Sequence, residues 1–424
     1  MAGAEAHSGI INSVTVAGKN ITALIDRLEV TENIGNERGG GHVVASVRIA
    51  DGSGIEDSIK GGEEIQFNAG NGQGQNLTFS LVVAEKDSSV QHKPDLKTYD
   101  IRCMSKTALG AHSKTADKGY KKQSPTDIIK DVWKEGVQDI EGINLDVKSE
   151  SEGRIDWATP RGTPINTINA LSREGGQSEK ANNFRLFETL ADNNRKYILQ
   201  TEEDMKKQGA IADFTISFPT DKGPANPGDQ SSTVIAHTFD RSFSIPEQVA
   251  AGGTSSKTDY TDVATMQFGE RSNEFGLDEF NKFGHTGGQS PFGDNTVQLL
   301  GNKENNVFEQ HIITNRFSNA KSKFYKARRG ENEHDRRKQD ASSSDQGNRG
   351  QTPTMKAAFV VPGNPSLSAG KIINMNVPGT GEDSGFDKTR TGKYLISKLS
   401  HIFVKDGNQM KYYTKIEATK DAIG

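Results

Sequence analysis

GNPSLSAGKIINMNVPG at residues 363–379 and GKYLISKLSHIFVKDGNQMKYYTKIEATKD at 392–421 decide the fold. Lys371, Ile373, Met375 and Val377 recur with a period of two, and Tyr394, Ile396, Leu399, Ile402 and Val404 line the next run. Alternation marks a half-buried strand, because successive side chains point to opposite faces. Asp406-Gly407 stands where a tight hairpin needs positive φ, and Tyr412-Tyr413-Thr414 starts the return strand. The stretch reads as the ending of a β-barrel, with no catalytic group at a tip.

The first hundred residues carry the same grammar. Val14 to Val16, Ile21 to Val30, Val43 to Ile49, Ile65 to Phe67 and Leu77 to Val83 are strand-like runs separated by glycine-rich turns. That spacing predicts a sandwich or barrel over residues 1–105. Gly70-Asn71-Gly72-Gln73-Gly74 lacks the strand–loop–helix setting of a phosphate cradle and reads as a loop tip. Tyr99, Ile101 and Cys103 share one strand face, so the single cysteine reads as a buried thiol.

The period then changes. Ser124-Pro125-Thr126-Asp127 is a capping box with proline at the first helical position, ahead of the apolar face Ile128, Ile129, Val132 and Trp133. Thr163-Pro164 repeats the device ahead of Ile165, Ile168 and Leu171. A short strand is expected near Leu145-Val147, and a hairpin over 184–200 turning at Asp192-Asn193-Asn194. Residues 106–205 thus read as a mixed α/β domain. Strand patterns resume over 206–245 and 353–424, which are assigned to a second barrel. Residues 246–352 read as an insertion of loops with scattered Phe268, Phe275, Phe280 and Phe283, a long helix over 304–339 and a mobile linker over 340–352. The class is β-rich α+β: two tail-tube-like β-barrel domains, an inserted mixed α/β domain and a helix-containing insertion.

Composition narrows the function. Only 32% of the 424 residues are hydrophobic and 45 are glycine, which fits a chain that completes its structure by assembling. A net charge of −4 argues against a general nucleic-acid binder. One cysteine excludes an intrachain disulfide and fits folding in a reducing cytoplasm. No apolar run is long enough to span a membrane, and the first residues do not read as a secretory signal. A location outside the cell would then imply lysis or transport inside a particle.

Chemistry finds little purchase. His7, His42, His92, His112, His237, His285, His311, His334 and His401 are scattered singly, without metal-ligand spacing. Asp278-Glu279 and Asp192-Asn193-Asn194 offer the paired acidic groups a glycosidase-type site would need, but both look like turns. Arg328-Arg329 and Arg336-Arg337-Lys338 concentrate positive charge, but Glu331, Glu333 and Asp335 cancel most of it. No catalytic, cofactor-binding or metal-binding residue is assigned, and no cofactor is expected.

Three segments together resemble a known family: Ser124 to Trp133, Asp156-Trp157-Ala158-Thr159-Pro160-Arg161-Gly162-Thr163-Pro164-Ile165, and Gly363 to Asp421. With the strand-rich start, their order is similar to that of the baseplate hub proteins of contractile-tailed bacteriophages. The nearest type is the trimeric hub of T4-like phages; phage late control proteins and the hub half of type VI spike proteins share the plan. The resemblance implies a structural, non-enzymatic homotrimer whose ring adapts a sixfold tail tube to a threefold central spike. It implies contact with tail tube protein, a central spike protein and baseplate wedge proteins, and a lumen through which DNA passes without specific binding. Localisation would be the virion tail baseplate, assembled in the host cytoplasm, with no membrane anchor. No OB-fold or needle repeat follows the last strands, so the spike is expected to be a separate subunit. Residues 250–350 match nothing in the family pattern. The alternatives are a virion-associated cell-wall hydrolase, a hub–spike fusion relative of a type VI-like device, and a single-barrel tail-tube protein.

Overall fold

The computed structural model describes residues 8–35, 41–151, 154–159, 162–174, 184–190, 195–217, 230–240, 255–262, 267–274, 284–288, 309–314, 355–379 and 385–423. Eight strands come first: β1 (Gly9–Val16), β2 (Lys19–Asn20), β3 (Ile25–Asn33), β4 (Val44–Asp51), β5 (Glu64–Asn71), β6 (Asn76–Lys86), β7 (Val90–Lys93) and β8 (Leu96–Met104). A mixed stretch follows: α1 (Lys106–Gly110), β9 (Gly119–Gln123), α2 (Pro125–Gly136), α3 (Gln138–Glu141), β10 (Leu145–Val147), β11 (Ile155–Ala158), α4 (Pro164–Glu174), β12 (Phe184–Thr189), β13 (Lys196–Thr201) and α5 (Glu202–Lys206). Strands then return: β14 (Ala210–Thr215), β15 (Ala236–Phe239), β16 (Ser255–Asp262), β17 (Gln267–Glu274), β18 (Glu309–Thr314), β19 (Met355–Pro362), β20 (Ile372–Asn376), β21 (Gly392–Asp406) and β22 (Gln409–Lys420).

The β-rich class holds. The strands of the two expected barrel regions lie in one 14-stranded sheet, along the path β15-β19-β22-β21-β3-β4-β8-β6-β5-β1-β2. That path is open. An isolated antiparallel bridge between Ser8 and Lys411 brings the β1 side back against β22.

β21 makes the sheet continuous. Its 15 residues span roughly 50 Å at about 3.3 Å each. Its first half pairs with β20, and Lys398 to Val404 pair antiparallel with β3. One strand therefore feeds two cores. Tyr394, Ile396 and Leu399 pack with Phe214, Phe359 and Met375, while Phe403 and Tyr412 pack with the apolar faces of β1, β3, β4, β5, β6 and β8. A third core lies in the mixed stretch, where Ile128, Ile129, Val132 and Trp133 of α2 meet Ile165, Ile168 and Leu171 of α4 and Tyr197 of β13. A fourth, smaller cluster joins the other three: Ile34, Phe187, Ile198, Met205, Ala369, Ile372 and Leu395.

Both capping signals form helices. The Ser124 hydroxyl accepts from the Asp127 amide at 3.1 Å, and Thr163 accepts from the Asn166 amide at 3.3 Å. Such a cap is worth about 1 kcal/mol. The 184–200 hairpin is β12 paired with β13, and β10 lies beside β13 in parallel.

Three local expectations are corrected. First, Ile402 and Val404 do not share the inward face with Leu399. A bulge between Ile396 and Lys398 adds one residue and flips the phase, so Leu399, His401 and Phe403 point inward instead. Second, the hairpin turn is Gly407-Asn408, one residue later than read. Asp406 is paired with Gln409, and only Gly407 takes the positive φ, at 61°. Third, residues 309–314 are a strand, not helix: β18 pairs in parallel with β16, which pairs antiparallel with β17. Ile312-Ile313-Thr314 is a β-branched run, which disfavours helix and suits a strand. The rest of the expected 304–339 helix, the 340–352 linker and Phe275, Phe280 and Phe283 lie outside the described residues.

Candidate functional site: a polar joint between the cores

Strand alternation puts several ionisable groups where an apolar side chain is expected. Leu28, Val30 and Glu32 face inward along β3; Leu186 and Glu188 do so along β12; Leu399, His401 and Phe403 do so along β21. Each polar member sits where the cores meet. The Glu32 carboxylate is fully buried; its Oε2 accepts from the Thr189 hydroxyl at 2.7 Å and from the Ala369 amide at 3.2 Å. It thus touches the mixed α/β stretch and the second core from a strand of the first. Burial pushes its pKa up to about 7, against the pull of those hydrogen bonds.

Glu188 is equally buried and is also pushed up to about 7 by burial, although Arg195 opposes the shift. Its Oε2 accepts from the Val43 amide at 3.0 Å, and its Oε1 lies 3.4 Å from Arg195 Nε. The same guanidinium reaches Glu141 at 2.5 Å and donates to the Ser80 carbonyl at 2.6 Å. Glu141 also accepts from the Thr107 amide and hydroxyl. Burial opposes its ionisation, but the bonds from Arg195 and Thr107 outweigh burial and hold its pKa low.

Asp421, one residue past β22, is a third buried acid. It is 2.7 Å from Lys206 Nζ and 3.0 Å from His285 Nδ1, and accepts from the Thr286 amide and hydroxyl at 2.9 and 2.8 Å. Burial alone would raise its pKa, yet Lys206 and His285 hold it well below the usual carboxylate range. His401 Nδ1 lies 2.7 Å from the Tyr412 hydroxyl, and burial lowers the imidazole to about 3. Phe403 stacks on Tyr412 at 4.1 Å, and Gly363 lies against the same ring, where a Cβ would fall 2.1 Å from it.

Beside this joint is a groove of about 910 Å³, with Ile34, Leu395 and Ala418 among its walls and the Arg185–Glu202 ion pair at one side. Arg185 Nε donates to Glu202 at 2.7 Å. On the outer surface Val90, Ile211, Ile235 and Phe386 stand exposed.

Most sequence candidates are not brought together. Cys103 is buried and its thiol is pushed up to about 12, as expected of a strand-face thiol. Gly70 to Gly74 is the tip of the β5–β6 hairpin, where the Asn71 side chain accepts from the Gln73 and Gln75 amides. His42 meets Tyr197 at 3.4 Å and is lowered to about 4 by burial, while His92 bonds Thr98 on the surface. Among the described residues no group of three or more His, Cys, Asp or Glu could hold a metal ion. No described helix is long and apolar enough to cross a membrane. Asp192 to Asn194, Asp278-Glu279, His7, His334 and the Arg328 to Lys338 cluster lie outside the described residues.

The sequence matches no protein-family model and no curated protein. Its fold, however, is similar to that of solved tail proteins. One is the 43 kDa tail protein of prophage MuSo2 from Shewanella oneidensis, with a TM-score of 0.57 at 13% identity, covering 98% of this chain and 100% of that one. Another is the tail protein from Neisseria meningitidis, with a TM-score of 0.55 at 8% identity, covering 98% and 97%. The chain has a tail-protein fold over nearly its whole length.

Proposed function

We propose that this chain is a structural subunit of the baseplate hub of a contractile phage tail. Three copies form a ring that adapts the sixfold tail tube to a threefold central spike, and the chain performs no catalysis. The observation that carries this reading is the likeness to a prophage tail protein over 98% of this chain and 100% of that one. The continuous sheet supports it. Because β21 is shared by two cores, the two halves form one stiff unit, as an adaptor between two symmetries requires. In the proposed division, 1–105 and 206–245 with 353–424 are the two tube-like barrels, 106–205 is the mixed domain and 246–352 the insertion. Barrel closure is completed in the ring, where open edges find partners. Tail tube, spike and wedge proteins are the proposed neighbours, in a virion tail baseplate through whose lumen DNA passes without specific binding.

The test is location. An affinity label on this chain, imaged on assembled particles, should appear at the tail tip between tube and spike. A label along the tube or in the head contradicts the proposal. Peptidoglycan turnover by the purified chain would contradict its non-catalytic part.

A further inference from the structure

Three of the acids buried at the joint, Asp421, Glu188 and Glu32, are not equivalent. Asp421 has Lys206 and His285 beside it, and Glu188 has Arg195. Among the described residues Glu32 forms no ion pair; its carboxylate is met only by neutral donors, the Thr189 hydroxyl and the Ala369 and Leu190 backbone. The titratable groups that bear on it are Glu188 from β12 and Tyr412 from β22, whose hydroxyl is engaged with His401 of β21. None of these brings a cation: Glu188 is an acid, and His401 is held neutral by burial. Among the described residues a carboxylate here is a buried charge without a counter-ion, and a neutral carboxylic acid costs much less. The same group is where three parts of the chain meet, since Thr189 ends β12 and Ala369 precedes β20.

We propose that Glu32 is a protonation switch for this joint: neutral, it stays packed dry between β3, Thr189 and Ala369, and ionised, its buried charge draws water into the joint and opens the packing around it. The partner is the proton, and no other ligand is required. The burial that raises Glu32 to about 7 places the switch inside the range a particle meets between mildly acidic and mildly alkaline surroundings. A group whose folded pKa is raised favours the intact state below its unfolded pKa, and that advantage is lost as pH rises through the folded value. The joint therefore tightens in acid and loosens in base.

Hydrogen exchange on the full chain tests this, with rates corrected for the intrinsic effect of pH. Protection of the Ala369 amide should fall by about tenfold or more between pH 5.5 and 8.5. Glu32→Gln cannot ionise. Its carbonyl can keep accepting from Thr189 and Ala369, and whatever its absolute protection, the pH dependence of that protection should stay within about twofold over the same range. A flat wild-type profile overturns the proposal without any variant. So does a Glu32→Gln profile that falls as the wild type does, since another group would then be responsible.

Discussion

Arg195 donates to the Ser80 carbonyl at 2.6 Å, so a side chain beside β13 is bonded to the backbone of β6 in the first sheet. The same guanidinium faces Glu141 and Glu188, and its side chain is only 12% exposed. A buried acid, a half-buried acid and a cross-core contact thus depend on one cation.

Arg195→Met should destabilise the chain by about 3 kcal/mol, because it strands the buried Glu188 and the half-buried Glu141 rather than merely deleting an attraction. Urea unfolding measures this. A loss below about 1 kcal/mol would mean that the network is solvated and carries little.

Tyr412 is the second hinge of the account. Gly363→Ala would drive a Cβ to within 2.1 Å of its ring, and should cost about 1–3 kcal/mol by overpacking. Tyr412→Phe keeps the stacking on Phe403 but leaves His401 Nδ1 unpaired, a loss of about 1–3 kcal/mol. Thermal unfolding of both variants reads the effect; unchanged midpoints would contradict the packing described.

Much of this fold is legible locally. Ser124→Ala should cost about 1 kcal/mol, readable in a urea titration, because the capping box seen in sequence is the cap found in the structure. The helix faces of α2 and α4 and the β12–β13 hairpin are equally local signals. The joint is less legible because its contacts are remote: Glu32 meets Ala369 across 337 positions, and Asp421 meets Thr286 across 135. One trace was available, an acid or histidine at an inward strand position, at Glu32, Glu188 and His401. The phase change in β21 left a weaker trace, since a bulge is chosen by neighbouring strands rather than by the residues at Ile396 and Lys398. The open path of the sheet, and its continuity through β3 and β21, are tertiary pairings that no local pattern encodes.

The acids give opposite pH signs. Asp421 is held low by Lys206 and His285, so it contributes stability at neutral pH that fades as pH falls below the usual carboxylate range. Relative to Asp421→Asn, the wild type should lose stability between about pH 5 and pH 2. Glu188 is raised, so relative to Glu188→Gln the wild type should lose stability as pH climbs through about 7. Calorimetric melts across pH check both, and parallel profiles for wild type and variant would contradict either assignment.

Native mass measurement of the purified full chain at micromolar concentration is the sharpest check on the proposed assembly into a hub ring. The expected result is a species of three chains that images as a closed ring. A stable monomer, with no ring in images of the particle tip, would contradict it.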